Sequence, residues 1–342
     1  MSSARILLLL GSVALVAAVA AVAIGSVAIP PFDVARIVLG SHGRHSGWET
    51  IVWSVRLPRT VTAAFAGAAL GLAGLEMQTL FRNPLADPSI LGVTAGASLG
   101  VAVLVLGANA TGLSLLQNLG HVGNLGLAGA GAIGAAAVLS LVLFAARRIP
   151  GRVTVLIIGV MVGYVAAALV SVLTHFSSLE AIRNFQAWSE GGFRGTTWGQ
   201  LRVMVPILVL AAAGVAALVK PLDALLLGER YAASLGVDVR RARLLIIASA
   251  AVLAGAVTVF CGPIAFLGIA VPHLARTVTG DARHRVLLPA VVLIGAAVAL
   301  VCDIMAQMPG SERTLPLNGV TSIVGAPIVI WLLIRRRPEV SA

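Results

Sequence analysis

The sequence predicts an all-α polytopic membrane protein, a single domain over residues 1–342 with ten transmembrane helices. Three observations predict this fold class. Of the 342 residues, 59% are hydrophobic and only 11% are charged, whereas a soluble domain carries about 25% charged residues. The basic residues stand between apolar runs of about 20 residues, the length at which a helix crosses a bilayer. Cys261 and Cys302 both lie in apolar runs, so neither a disulfide framework nor a cysteine metal cluster is indicated.

These features exclude a soluble enzyme, a secreted disulfide-rich domain and a nucleic-acid-binding protein. The formal net charge is +11, and an excess of basic residues often indicates nucleic acid. Here the basic residues lie at the ends of apolar runs, where positive charge sets the orientation of a membrane protein. The partner predicted by composition is therefore the lipid bilayer, and no nucleic acid is expected.

The ten predicted spans follow the apolar runs in chain order, with a tolerance of several residues at each end. The apolar run of the first span is longer than the core of a signal peptide, which has about 7–15 residues. We therefore interpret it as a transmembrane helix. The spans cover residues 5–29, 60–80, 89–107, 122–146, 153–176, 201–219, 244–260, 264–279, 286–306 and 317–334.

Spans seven and eight have the weakest pattern. Gly262-Pro263 interrupts an apolar stretch that runs from Leu244 to Val278. This stretch is too long for one membrane helix and short for two, and proline cannot continue a regular helix. We expect a tight turn between two helices that reach unequal depths.

The arginines predict the orientation. Arg335, Arg336 and Arg337 follow the last span closely and place the C-terminus in the cytoplasm. Ten spans put the N-terminus on the same side, with short cytoplasmic helices between spans six and seven. In this arrangement 16 of the 24 Lys and Arg residues lie on the cytoplasmic side.

Two connecting segments carry more information than ordinary loops. Arg56-Leu57-Pro58-Arg59 places two arginines at the outer end of span two, against the positive-inside trend. Either carboxylates of an outer partner or phosphate headgroups of lipids explain them equally well. Arg82 to Pro88 contains two prolines four residues apart, which indicates a rigid break between spans two and three, although a plain turn fits as well.

The loop between spans six and seven, residues 220–243, is called the inner segment below. Its middle, Leu227 to Val237, is typical of a short helix ended by Gly236, and Asp238 is placed to cap the next helix. A compact helical unit of this kind can dock into a groove on a soluble partner. The alternative is an amphipathic helix that rests on anionic lipid.

Catalytic patterns are missing from the sequence. There is no G-x-x-x-x-G-K-[ST] phosphate loop, and the single lysine, Lys220, precedes a proline. His42 and His45 have no clear third ligand, so no metal site is predicted. Glu76 and Asp303 are the only acids well inside predicted spans. We interpret them as hydrogen-bonding groups between helices or walls of a polar pathway, and the alternative is a proton relay in an ion-coupled secondary transporter.

Taken together, these segments resemble the permease family of bacterial ABC importers for ferric siderophores, haem and cobalamin. The resemblance runs from about Arg56 to Arg337, and its order and spacing are more specific than any single motif. The matching stretches are RLPR (56–59), NPLADPSILGV (83–93), LGERYAASLGV (227–237), GPIAFLGIAVPHLAR (262–276) and GAPIVIWLL (325–333).

The resemblance implies a non-catalytic transport subunit in the bacterial cytoplasmic membrane. Its partners would be a second permease copy or a paralogue, two ATP-binding subunits and an extracytoplasmic substrate-binding protein. ATP and Mg²⁺ would be bound by the ATPase, and this chain would hold no cofactor. The cargo we expect is an iron-siderophore complex, with haem or cobalamin as alternatives.

The resemblance also assigns roles to individual residues. It implies that Arg56 and Arg59 dock the binding protein. Gln307 stands where the family pattern has a further arginine, which puts a third docking charge in doubt. Arg313 could supply that charge from a shifted position. Residues that would couple to the ATPase are Glu229, Arg230, Ala233, Leu235, Gly236 and Val237. Residues that would form the inner gate or pathway are Asn83, Pro84, Leu91, Gly92, Thr94 and Thr154.

Overall fold

The computed structural model describes residues 3–40, 46–110, 120–148, 152–308 and 314–335. Within these ranges the chain forms fifteen α-helices. In chain order they are α1 (Ser3–Ala23), α2 (Pro31–Val38), α3 (Ser46–Ile51), α4 (Leu57–Phe81), α5 (Val93–Ala110), α6 (Gly120–Arg148), α7 (Arg152–His175), α8 (Leu179–Ser189), α9 (Trp198–Ala217), α10 (Val219–Leu226), α11 (Glu229–Ser234), α12 (Val239–Cys261), α13 (Leu267–Thr279), α14 (His284–Ala306) and α15 (Leu317–Arg335).

Many of these helices have the length and composition of membrane spans. Seven helical segments in the described ranges are long and apolar enough to cross a bilayer, and two shorter apolar helices lie in α5 and α15. This confirms a polytopic helical membrane protein. The count of ten spans and the cytoplasmic position of both termini stay predictions. Arg336 and Arg337, on which the orientation partly depends, lie outside the described residues, as do His42, His45 and Arg313.

Helix α4 forms the centre of the bundle. It packs against α9, α12, α13 and α14, and most of its side chains are buried. Its glycines allow this packing, because a Cβ atom on Gly67 would lie 2.1 Å from the carbonyl oxygen of Gly295, and one on Gly74 would lie 1.8 Å from that of Gly268. Small residues let helix backbones touch in a membrane protein, where packing replaces the hydrophobic effect as the driving force. Below, the outer and inner ends of the bundle are those of α4 at Leu57 and at Phe81.

Two helix ends differ from the ends of the predicted spans. The first span ends at Ala23 rather than near residue 29. The third begins at Val93 rather than at residue 89, because Asp87 caps a short 3₁₀ turn over Pro88–Leu91 and Gly92 closes it with φ +74°. A left-handed residue cannot continue an α-helix, so the new helix starts only after Gly92.

The connection between α12 and α13 also differs from the predicted tight turn. Residues 262–266 are non-helical and lead to Leu267, so that α13 begins against α4 inside the bundle. Asn318 of α15 satisfies this backbone, since its side-chain oxygen accepts from Ala265 N at 3.0 Å and its amide nitrogen donates to the Pro263 carbonyl at 2.8 Å. Irregular backbone at membrane depth is stable only where protein groups supply such partners.

The inner segment confirms the expectation of a short helix with defined ends. After α11, the amide of Gly236 donates to the Ala233 carbonyl at 3.0 Å and that of Val237 donates to the Ala232 carbonyl at 3.1 Å. These two bonds, with Gly236 at φ +81°, form a Schellman motif. The Asp238 carboxylate then accepts from Arg241 N at 3.0 Å and caps α12. The fold of this segment is therefore set by local sequence.

Candidate functional site

Arg56 lies at the outer end of the bundle and is only 5% exposed. Its guanidinium donates to the carbonyls of Val22 at 2.9 Å and Ala23 at 2.7 Å, and it also reaches the carbonyl of Val27. These carbonyls belong to or follow the last turn of α1, where backbone acceptors lack helical partners and favour a cation. Arg56 thus caps α1. Its docking role stays a prediction, and docking requires the side chain to leave these carbonyls.

Arg59 is also buried and forms a two-pronged ion pair with Asp303 of α14. Its Nε atom lies 2.9 and 2.8 Å from the two carboxylate oxygens, and its Nη2 atom lies 2.7 Å from one of them. The side chain of Gln307 donates to the same carboxylate at 3.1 Å. Gln307 therefore gives the Asp303 carboxylate a further hydrogen bond. The docking role of Arg59 stays a prediction.

Arg194 is an exposed cation in this region that sequence reasoning missed. It lies in the connection between α8 and α9 and donates to Thr314 Oγ1 at 2.7 Å. Partial burial and, next, the positive charge of Arg59 lower the pKa of Arg194. A cleft of 480 Å³ opens beside it, lined among others by Trp188, Glu190 and Leu315. In the sequence, the connection between α8 and α9 is distinguished only by a pair of glycines at 191–192, shortly before Arg194.

The break between α4 and α5 is anchored to other helices, as expected of a rigid connection. Asn83 is exposed, and its side-chain oxygen accepts from Leu85 N at 2.9 Å. The carbonyl of Pro84 lies 2.8 Å from Nε2 of His273 in α13. The two predicted residues thus shape the turn and fix it to the bundle.

The predicted gate residues cluster where α7 crosses the start of α5. Leu91 is fully buried, and a Cβ atom on Gly92 would lie 2.7 Å from the carbonyl oxygen of Gly159. Thr94 is half-buried on α5, whereas Thr154 is exposed on α7. The structure therefore brings Leu91 and Gly92 against α7, and Thr154 lies on the exposed surface of that helix.

Helix α7 packs mainly on α5 and leaves much of its surface uncovered. Tyr164, Ser171 and His175 are all exposed and recur at intervals of seven and four residues, which places them on one face. Ile157 and Met161 lie on the same face and are also exposed, so the face mixes polar and apolar side chains. Polar side chains on a membrane helix are unfavourable toward lipid, which makes this face a candidate contact with another subunit or with water.

The predicted coupling residues divide into an exposed and an inward-facing set. Arg230, Ala233, Leu235 and Gly236 are exposed, whereas Val237 packs against the main core. Glu229 forms a 2.9 Å ion pair with Arg243 of α12, whose side chain is 8% exposed. The exposed residues form a surface that a partner can contact, and the inward ones hold it to the bundle.

Glu76 lies far from the Asp303 ion pair. It is fully buried in α4, where it contacts the hydroxyl of Ser249 in α12. The Ser249 hydroxyl also lies 3.1 Å from the Ile246 carbonyl. The Ser249 hydroxyl thus has two acceptors within reach, the Glu76 carboxylate and the Ile246 carbonyl, and it links α4 to α12. Arg59, the partner of Asp303, lies about 26 Å from Glu76 along α4 by the rise of an α-helix, so the two acids do not form one relay.

Comparisons with known proteins agree with this arrangement. The model of the FecCD transport family matches residues 13–335. A vitamin B12 import system permease protein BtuC from Klebsiella pneumoniae subsp. pneumoniae is 37% identical over 289 residues, which are 84% of either chain. The protein of the same name from Escherichia coli O9:H4 is 36% identical over 293 residues, covering 84% of this chain and 85% of the relative.

A solved structure is similar over nearly the whole chain. It is described as an inward-facing conformation of a putative metal-chelate type ABC transporter. The two structures superpose with a TM-score of 0.82 at 28% sequence identity, and the match covers 98% of this chain and 100% of the other.

Proposed function

Because the chain belongs to the FecCD transport family of ABC importer permeases, we propose that it carries vitamin B12 across the bacterial cytoplasmic membrane as the permease subunit of an ATP-driven importer. Relatives at 36–37% identity bear the name of vitamin B12 permeases. This support favours cobalamin over the iron-siderophore complex expected from the sequence. A ferric siderophore is the second candidate, because the similar solved structure is described as a metal-chelate type transporter.

The observation that carries the proposal is the exposed surface of the inner segment. Tyr231 is 52% exposed and Leu235 is 58% exposed, although both flank the buried Ala232. The Schellman motif at Gly236 and the cap at Asp238 hold these side chains in place. An ordered surface with apolar residues beside Arg230 is suited to a groove on a soluble subunit. An ATP-binding subunit is the partner that this family implies.

The proposed mechanism is alternating access. ATP binding draws two inner segments of a permease pair together, the two permeases rock, and cargo passes between them. The face of α7 that carries Tyr164, Ser171 and His175 lines this path. Thr154 lies near the inner end of the same helix, and Leu91 and Gly92 pack behind the helix at the gate. The chain contributes shape and coupling, while ATP and Mg²⁺ are bound by the partner ATPase.

The extracytoplasmic binding protein docks at the outer end. Arg56 and Arg59 are the cations carried over from the family, and Arg194 is the exposed one beside them. The double variant Arg56→Glu with Arg59→Glu should weaken docking of the binding protein, most strongly at low salt. Arg194→Glu changes an exposed cation instead, and comparing the two variants shows whether docking uses the exposed arginine or the buried ones. If only Arg194→Glu weakens docking while the folded bundle is intact in both variants, the two buried arginines have no docking role.

The experiment that tests the function is reconstitution in proteoliposomes with candidate ATPase and binding-protein partners. ATP hydrolysis and uptake are measured with cobalamin, a ferric siderophore and haem. Stimulation by cobalamin alone supports the first candidate, and stimulation by the siderophore alone replaces it with the second. Uptake that needs no ATPase and collapses with a protonophore would instead support an ion-coupled secondary transporter.

A further inference from the structure

The inner segment is attached to the bundle by a hydrogen-bond chain that runs through three helices, from the partly exposed Asp223 side chain to buried groups of the bundle. Asp223 of α10 accepts two hydrogen bonds from His284 of α14, one from the backbone N at 2.8 Å and one from Nδ1 at 2.7 Å. The other ring nitrogen of His284, Nε2, lies 3.0 Å from Thr79 Oγ1 of α4. Both imidazole nitrogens are therefore engaged, which fixes the orientation of the ring.

The contact of Asp223 with the His284 backbone is a helix cap supplied by another helix. The residue at the cap position of α14, Arg283, makes no side-chain cap hydrogen bond of its own. The first amides of a helix lack internal acceptors, and the helix dipole favours a negative charge there. Asp223 thus binds α10 to the positive end of α14 by charge as well as by hydrogen bonds.

Burial at its inner partners makes this attachment stiff. His284 is 1% exposed and Thr79 is 2% exposed, so the bond between them is kept from water, whereas the Asp223 side chain is 37% exposed. Leu222 and Leu225, on either side of Asp223, are 0% and 1% exposed and seat α10 on the bundle. A displacement of α10 therefore cannot leave α4 and α14 where they are without breaking the chain of hydrogen bonds.

We propose that Asp223 and His284 are positioning residues that transmit movement of the inner segment to α4 and α14. This inference rests on the proposed function, since it needs an ATPase that moves the inner segment. The exposed residues of α11 receive the movement, and the Asp223–His284–Thr79 chain passes it to the central helix of the bundle. The Arg59–Asp303 pair, which joins α4 and α14 at their outer ends, makes these two helices move together.

The test measures cargo transported per ATP hydrolysed by the reconstituted complex. Asp223→Ala should lower this ratio about fivefold, the effect expected for the loss of one helix cap, while the ATPase stays bound. Asp223→Asn keeps an acceptor oxygen and should recover part of the ratio. Asp281→Ala is the matched control, because Asp281 accepts from Arg283 N and pairs with the Arg283 side chain in the neighbouring turn, outside the Asp223–His284–Thr79 chain.

A double-mutant comparison separates transmission from simple destabilisation. His284→Ala and the double variant with Asp223→Ala should show the same ratio as Asp223→Ala alone, because residues in one chain are not additive. A lower yield or melting temperature with an unchanged ratio would overturn the inference. Should the alanine variants not assemble, Asp223→Asn and His284→Gln provide the same comparison. A wild-type complex without cargo-stimulated hydrolysis would contradict the proposed function itself.

Discussion

At the scale of single residues, the outer end of the bundle is held by charges that face inward. The side chains of Arg59 and Asp303 are 9% and 2% exposed, so each needs the other to offset its lost hydration. In the same way, the guanidinium of Arg56 donates its hydrogen bonds to backbone carbonyls of α1. Sequence reasoning identified these arginines but not their partners, since Asp303 is 244 residues away from Arg59 along the chain.

We therefore expect Asp303→Asn to destabilise the protein by about 3–5 kcal/mol, because it leaves Arg59 as an uncompensated buried charge. Thermal unfolding in detergent measures this change. Replacing both partners, Arg59→Met with Asp303→Leu, should recover most of the loss. Asp281→Asn removes an ion pair whose Arg283 side chain is 73% exposed, and it is the control that should lower the melting temperature much less. Equal losses from Asp303→Asn and Asp281→Asn would contradict this account.

A second expectation at this scale concerns Glu76. Because the Glu76 side chain is hydrogen-bonded to the Ser249 hydroxyl, Glu76→Gln keeps a hydrogen-bonding group of the same size in the same place. Uptake by this variant should stay at the wild-type rate and remain insensitive to a protonophore. Ser249→Ala removes the same hydrogen bond from the other side and should have an equally mild effect. Loss of uptake in Glu76→Gln alone would show that a proton moves during transport.

At the scale of elements, substitutions in the turn after α11 test whether coupling to the ATPase needs a fixed conformation of the inner segment. Gly236 has φ +81°, a conformation that costs a β-branched residue roughly 1–2 kcal/mol. Gly236→Val should therefore distort the inner segment and reduce uptake per ATP. Gly236→Asn is the matched control, because asparagine tolerates this conformation better than other non-glycine residues. Wild-type transport by Gly236→Val would contradict the coupling role.

The elements also show which structure the sequence could predict. The helix ending at Gly236 and the cap at Asp238 were predictable because each depends on residues only a few positions apart. The non-helical residues 262–266 were not, because their backbone is satisfied by Asn318, more than fifty residues later. The Gly92–Gly159 contact depends on tertiary packing in the same way, whereas the delayed start of α5 follows from the nearby Asp87 and Gly92. The hydrogen-bond chain from Asp223 through His284 to Thr79 was not predictable either, because its three residues lie far apart in the sequence.

At the scale of the whole molecule, the orientation can be tested directly in cells. Native Cys261 and Cys302 are buried, so they should give little background with a membrane-impermeant thiol reagent. In the predicted topology Gln186→Cys on α8 should be labelled from outside. Ser234→Cys on α11 should be labelled only after the membrane is opened. If Ser234→Cys is labelled from outside and Gln186→Cys only after the membrane is opened, the orientation is opposite to the predicted one. Labelling of both from outside would exclude the ten-span arrangement.

The uncovered face of α7 has a consequence for the newly made protein. In the proposed pairing with a second permease copy, Tyr164, Ser171 and His175 face hydrocarbon until the partner is bound, and α7 is held mainly through its contact with α5. Such polar groups are costly in a bilayer. We therefore expect the half-life of the chain in the cell to fall when its partner is not made, which a pulse-chase measurement checks.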